Sequence, residues 1–184
     1  MGADTDELTW AAVLAGDARS FGLIWDRHHA RVERHLIGLG CPMAEVEDLA
    51  AITFLELWRK RVAVRFVDGS LLPWLLVTAC NVHRNAARGR ARYRALLARL
   101  PLPEPAPDPG ELAAEQDTAQ TRRVRETLAA SRPADRSLVA LTALEGYTVT
   151  EAAAALGLTE SAARMRLSRM RARLRAAPAE GEAS

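Results

Sequence analysis

The sequence predicts an all-α protein made of two small helical bundles joined by a proline-rich, acidic linker. Three observations carry that expectation. Alanine, leucine, arginine and glutamate dominate, and β-branched runs are few. Apolar residues recur at helical rather than alternating spacing. The stretch PLPEPAPDPG, residues 101–110, holds five prolines and two acids and fits neither a helix nor a central strand.

The elements follow in order. An opening helix is predicted near Asp6 to Ala15. A second runs from about Arg19 to Leu39, where Phe21, Trp25, His28, Val32, Leu36 and Leu39 form one stripe. A third starts after Pro42 and continues to about Arg61. Its inward face is Val46, Leu49, Thr53 and Leu57, and its outward face is Asp48, Ala51, Ile52, Leu55 and Arg59. A helix apolar on both sides is either deeply buried or covered by a partner on its second face. A fourth follows Pro73, with Leu75, Ala79, Val82 and Ala86 inward and Asn81, Arg84 and Arg88 outward. From Arg84 to Arg99 this stretch holds no acidic residue.

Beyond the linker, helices are expected at about Glu111 to Ala130 and Pro133 to Glu145. Then comes GYTVTEAAAALGLTESAARMRLSRMRARLR, residues 146–175. Thr148 and Glu151 form a capping box, Gly157 closes the helix that follows it, and Thr159 is the N-cap of a second helix. Two helices around a short glycine turn make a helix-turn-helix. Ala163, Leu167, Met170 and Leu174 fall on the core side of the second one. The other side offers Ser161, Met165, Ser168, Arg169 and Ala172, with Arg164, Arg173 and Arg175 on the flanks. Short side chains in the middle allow close approach to a groove, and flanking guanidiniums reach phosphates. DNA binding is the expectation, against the alternative of a solvated basic helix. The expected domains are 1–100, a flexible linker 101–110, 111–177 and a disordered tail 178–184.

Other function classes are excluded or disfavoured. At 184 residues and 49% hydrophobic content, the chain can bury one ordinary core or two small ones, too little for a large multi-domain enzyme. There is no Gly-rich phosphate loop and no nucleophile elbow, so no enzyme activity is expected. Cys41 and Cys80 stand far apart without a CxxC pair and read as small buried thiols. His28, His29, His35 and His83 read as packing or surface residues without partner carboxylates, so neither a metal nor a cofactor is expected. The first ten residues lack the features of a signal peptide, and no apolar run reaches about 20 residues, so no membrane insertion and a cytoplasmic location are expected. A net charge of +2 says little about partners, and the basic residues are arginine except for Lys60.

In order and spacing these parts resemble bacterial RNA polymerase sigma factors of the extracytoplasmic-function (ECF) group. The residues that carry the resemblance are VEDLAAITFLELW (46–58), PWLLVTACNVHRNAARGRARY (73–93) and SRPADRSLVALTALEGYTVTEAAAALGLTESAARMRLSRMRARLR (131–175). The resemblance implies core RNA polymerase, promoter DNA and an anti-sigma factor as partners. It implies polymerase contacts at Asp48, Leu49, Ala51, Ile52 and Leu55. Phe66, Asp68 and Ser70 fall in the loop that in the family captures a flipped base of the minus-ten element, and Asn81, Arg84 and Arg88 on the helix that holds the neighbouring strand. Thr159, Ser161, Arg164, Met165, Ser168, Arg169 and Arg173 fall where the family reads the minus-thirty-five element. Departures from the family pattern are Ala51 and Ile52, where a glutamine and an acid are usual, and Met165, where serine is common. Two other readings stay open: a regulator using only the C-terminal helix-turn-helix, and a sigma-like protein acting through protein contacts.

Overall fold

The computed structural model describes residues 5–98, 124, 126–128 and 130–176. Among them the order is α1 (Asp6–Leu14), α2 (Ala18–Gly38), α3 (Met43–Arg59), a 3-10 turn (Arg61–Ala63), α4 (Leu72–Leu97), α5 (Pro133–Val139), a π turn (Ala140–Leu144), α6 (Val149–Leu156) and α7 (Glu160–Ala176). No strand occurs among the described residues; a lone bridge joins Val67 and Ser70. The expected linker at 101–110, most of the helix expected at 111–130 and the tail at 178–184 lie outside the described residues.

Local chemistry sets the boundaries. Asp17 caps α2 by accepting from the Arg19 backbone N–H and the Ser20 hydroxyl. Pro73 in the first turn of α4 lacks an N–H that no helical carbonyl would have used. The capping box of Thr148 and Glu151 is present in full, and Gly157 closes α6 at φ 65°, a conformation that costs glycine little.

Helices α1 to α4 enclose the first core. Ile24, Val32, Leu36, Phe54, Leu57, Leu71, Leu75 and Ala79 are buried in it, with Phe21 and Trp25 packed at its margin. Trp25 and Phe54 meet with ring centroids 4.6 Å apart, inside the usual range for aromatic pairs. Burying a side chain such as Phe54 contributes about 1.5–3 kcal/mol, so this cluster is the main source of the bundle's stability.

The second core is not confined to the C-terminal helices. Leu138, Leu141, Ala152, Ala153, Ala155, Ala163 and Leu167 share it with Val67 and Leu76 of the first bundle, and Leu72 and Val77 pack at its edge. Helix α4 is therefore buried on two sides. The sequence stripe Leu75, Ala79, Val82 is one side; Leu76 and Cys80 form the other, which the sequence reading did not separate.

A candidate nucleic-acid interface

Helix α7 presents the face that its sequence pattern predicts. Ala163, Leu167 and Met170 are buried, and Leu174 is half-buried. Thr159, Ser161, Arg164, Met165, Ser168, Arg169 and Arg173 are all exposed, Met165 to 51%. Thr159 caps the helix, its hydroxyl accepting from the Ala162 N–H at 3.2 Å.

The six arginines of α7 do not share one role. Arg166 donates to Asp135 at 2.9 Å and ties α7 to α5. Arg164 pairs with Glu160 one turn back, and Glu160 also accepts from the Thr150 hydroxyl at 2.9 Å. The Thr150 hydrogen bond, then Arg164, hold the Glu160 carboxyl below its ordinary range. Arg169 lies against the Met165 sulfur at 3.0 Å, and Arg173 reaches the Ser131 hydroxyl at 3.4 Å. Arg164 on one flank of the outer face, and Arg169 and Arg173 toward the other, thus keep exposed guanidiniums, each resting on a local partner at the surface.

The residues assigned to the minus-ten element separate into two places. Phe66 is half-buried against the first core. Asp68 and Gly69 occupy the two central positions of a tight turn with φ 50° and 75°, closed by backbone hydrogen bonds in both directions between Val67 and Ser70. This Asp-Gly pair is the favoured sequence for a turn with two positive φ angles. Ser70 is committed inward: its hydroxyl donates to Asp6 at 3.0 Å and accepts from the Leu72 N–H at 3.2 Å. On α4, Asn81 borders a groove with Leu49, Ile52, Glu56 and Lys60. Arg84 and Arg88 instead border a cleft of about 340 Å³ shared with Ser131 and Arg136 of the C-terminal bundle. Burial first, then the nearby Arg84, lower the affinity of Arg136 for its proton.

On α3, Asp48, Ala51, Ile52 and Leu55 are exposed, Ile52 to 43% and Leu55 to 55%. Leu49 is not: at 6% exposure it is part of the first core. It shares its helix face with Val46, Thr53 and Leu57, as its inner-stripe assignment already implied, so it supports the outer face without belonging to it. Ala50 and Phe54 add to the buried side.

Sequence reasoning missed one residue that builds this site. Asp6, nearly inaccessible, accepts from the Leu71 N–H at 2.8 Å and the Ser70 hydroxyl at 3.0 Å, lies 2.8 Å from His28 Nε2, and pairs with Arg27 at 2.6 Å. Burial alone would raise its pKa, but the hydrogen bonds from His28, Arg27 and Leu71 outweigh burial and hold the carboxyl far below its ordinary range. The expectation that the histidines lack partner carboxylates fails here, and again at His35, whose Nδ1 lies 2.6 Å from Glu145. Both partners are distant in sequence, where no spacing rule could find them. Among the described residues these groups do not assemble into a metal-binding cluster.

The ECF sigma factor family profile matches residues 86–179. The RNA polymerase sigma factor CarQ of Myxococcus xanthus is 30% identical over 147 residues, which is 78% of this chain and 80% of CarQ. The chain belongs to the ECF sigma factor family. The ECF relative CnrH of Cupriavidus metallidurans, also an RNA polymerase sigma factor, is 30% identical over 166 residues, 84% of each chain. Its solved structure in complex with the cytosolic domain of CnrY covers 94% of this chain and 96% of CnrH, with a TM-score of 0.58 and 29% identity. The sigma factor RpoE of Bartonella quintana, solved with the anti-sigma factor NepR, shares the ECF fold at a TM-score of 0.50 and 23% identity, over 86% of this chain and 96% of RpoE. Among the described residues no helix is long and apolar enough to cross a membrane.

Proposed function

We propose that the protein is a promoter-specificity subunit that binds core RNA polymerase in the cytoplasm, recognises two promoter elements and helps open the duplex, without catalysis of its own. The domains are 1–100 for polymerase and the minus-ten element and 111–177 for the minus-thirty-five element, with 101–110 as the linker. The observation that carries this reading is the outer face of α3. Ile52 and Leu55 are large apolar side chains left in water beside Asp48, on a helix whose other face is fully buried. A regulator that used only its helix-turn-helix would have no use for such a face.

Site roles follow from placement. Asp48, Ala51, Ile52 and Leu55 meet the polymerase, with apolar burial standing in for the usual glutamine and acid. Ser161, Met165 and Ser168 let α7 approach the floor of the major groove, Arg164 reads a base edge near the helix start, and Arg169 and Arg173 meet phosphates. Phe66 and Asp68 meet the minus-ten element, with Asn81, Arg84 and Arg88 along the strand. Ser70 acts by fixing the loop to Asp6. The relative CnrH, solved with the domain of another protein, supports an anti-sigma partner for this chain as well.

The test is transcription by core polymerase with and without the protein on cognate genomic fragments. Discrete new start sites are expected. Transcription equal to that of core alone, with DNA binding by the protein intact, would instead indicate the helix-turn-helix regulator. Binding to polymerase without new start sites would indicate a protein that acts through protein contacts.

A further inference from the structure

Met165 does not match its surroundings on α7. Among the described residues of that helix it is the one large apolar side chain left exposed, whereas Leu167 and Met170 are buried and Leu174 is half-buried. At about 100° per residue it stands in the middle of the outer face, within about 60° of Ser161, Ser168, Arg169 and Ala172, all exposed as well. Three of these neighbours are short, so the thioether reaches beyond them and is the first group of the face to meet a groove floor. Arg169, one turn further on, donates from Nη2 to the Met165 sulfur at 3.0 Å, which holds an otherwise adaptable side chain in place at the surface.

The chemistry of this side chain limits what it can read. A thioether has no hydrogen to donate and is only a weak acceptor, so Met165 cannot tell bases apart by their donors and acceptors, as the serine common at this place could. It can only shield an apolar group from water. In the major groove the base pairs present ring nitrogens, carbonyl oxygens and amino groups, and one apolar group, the C5-methyl of thymine. A polar base edge pressed against the thioether would lose water without gaining a hydrogen bond, whereas the methyl group would gain by the contact. A single exposed methionine on an ordinary surface needs no explanation. In the middle of a face that approaches base edges, it must either cost affinity or select thymine.

We propose that Met165 is a specificity-determining residue that selects thymine at one position of the upstream element, by packing its thioether against the C5-methyl group. The inference rests on the groove assignment of α7 made above and deepens it, and it needs neither polymerase nor duplex opening. The contact should be worth about fourfold in affinity, the effect of burying one methyl group. Arg164, about 100° round the helix from Met165, meets a different base pair, so the two preferences are separable.

The experiment selects preferred duplexes from a randomised pool on the full chain, for the parent, Met165→Ser and Met165→Leu, all altered only at an exposed site. The parent should fix thymine at a position where Met165→Ser fixes no base, with the other positions unchanged. In the selected duplex, replacing that thymine by uracil removes only the methyl group. The swap should weaken the parent about fourfold, leave Met165→Ser unaffected, and weaken Met165→Leu as it does the parent. Uracil accepted as well as thymine at every position by the parent overturns the proposal, as does a Met165→Ser chain that still distinguishes the two. A pool that yields no preferred sequence overturns it together with the groove assignment. A selected duplex that shows the methyl dependence, but on which core polymerase and the chain give no new start site, would leave the role of Met165 standing and remove the promoter reading.

Discussion

Replacing Asp6 by alanine should destabilise the N-terminal bundle by about 3–5 kcal/mol, because it removes one partner from a buried charged cluster. The magnitude can be assembled from its contacts. The buried Leu71 N–H would lose its acceptor, at about 1–3 kcal/mol. The Ser70 hydroxyl and buried His28 would add roughly 1 kcal/mol each. Arg27, a third exposed, can swing into water and adds little. For a chain of this size the loss lowers Tm by roughly 6–20 °C. Urea titration followed by tryptophan fluorescence is a suitable assay, since Trp10 sits in α1 one helical turn beyond Asp6. The pH dependence gives a second handle. The folded carboxyl has a lower pKa than the unfolded one, so its stabilisation is complete above the unfolded value near 4 and is lost as pH falls from there toward the folded value. The gap between parent and Asp6→Asn should therefore be constant from pH 6 to 8 and shrink below about pH 4. A loss under about 1 kcal/mol at pH 7, or a gap that does not narrow in acid, would refute the assignment of Asp6 as the anchor of the 66–71 loop.

Other expectations concern binding and reactivity. Arg164→Ala should relax preference at one or two positions of the upstream element by about 1–3 kcal/mol, whereas Arg173→Ala should weaken all sequences alike and reduce the salt slope by about one unit; binding to cognate and scrambled duplexes at several salt concentrations separates the two. Ile52→Lys should weaken polymerase binding while changing stability by no more than about 0.5 kcal/mol, since Ile52 is exposed; a large loss in thermal denaturation would make it a core residue instead. Burial pushes the Cys80 thiol up to about 12 and raises Cys41 as well. At pH 8 the native Cys80 should react with a disulfide reagent about a thousandfold more slowly than in urea, and fast labelling of the native chain would contradict that burial.

How far the sequence could be read depended on the range of the interaction. The capping box at Thr148 and Glu151, the left-handed Gly157 and the inner stripe of α7 are set by neighbours three to seven residues away, and the structure has them where periodicity puts them. The outer face of α3 was legible for the same reason. Asp6, which binds residues 21 to 65 positions away, gave no such signal. Its place in a first helical turn already had a local explanation in the helix dipole. The second buried side of α4 was missed because Leu76 and Cys80 interleave with the first stripe, and only a second bundle makes them core. Glu145 did offer a clue, an acid at the wrong pole of a helix, but nothing local could identify Arg31 and His35 as its partners.

The π turn at Ala140–Leu144 makes the chain sensitive to a kind of change that substitution does not test. A widened turn holds one residue more than α-helical winding needs, so removing a single exposed residue such as Ala143 could let the segment wind as ordinary helix. Everything beyond it would then be turned by about 100° relative to α5. Glu145 would leave its two partners, and the helix-turn-helix would be redirected with it, although every side chain named above would still be present. Length at this one point, more than the identity of any residue there, sets how the C-terminal helices are aimed.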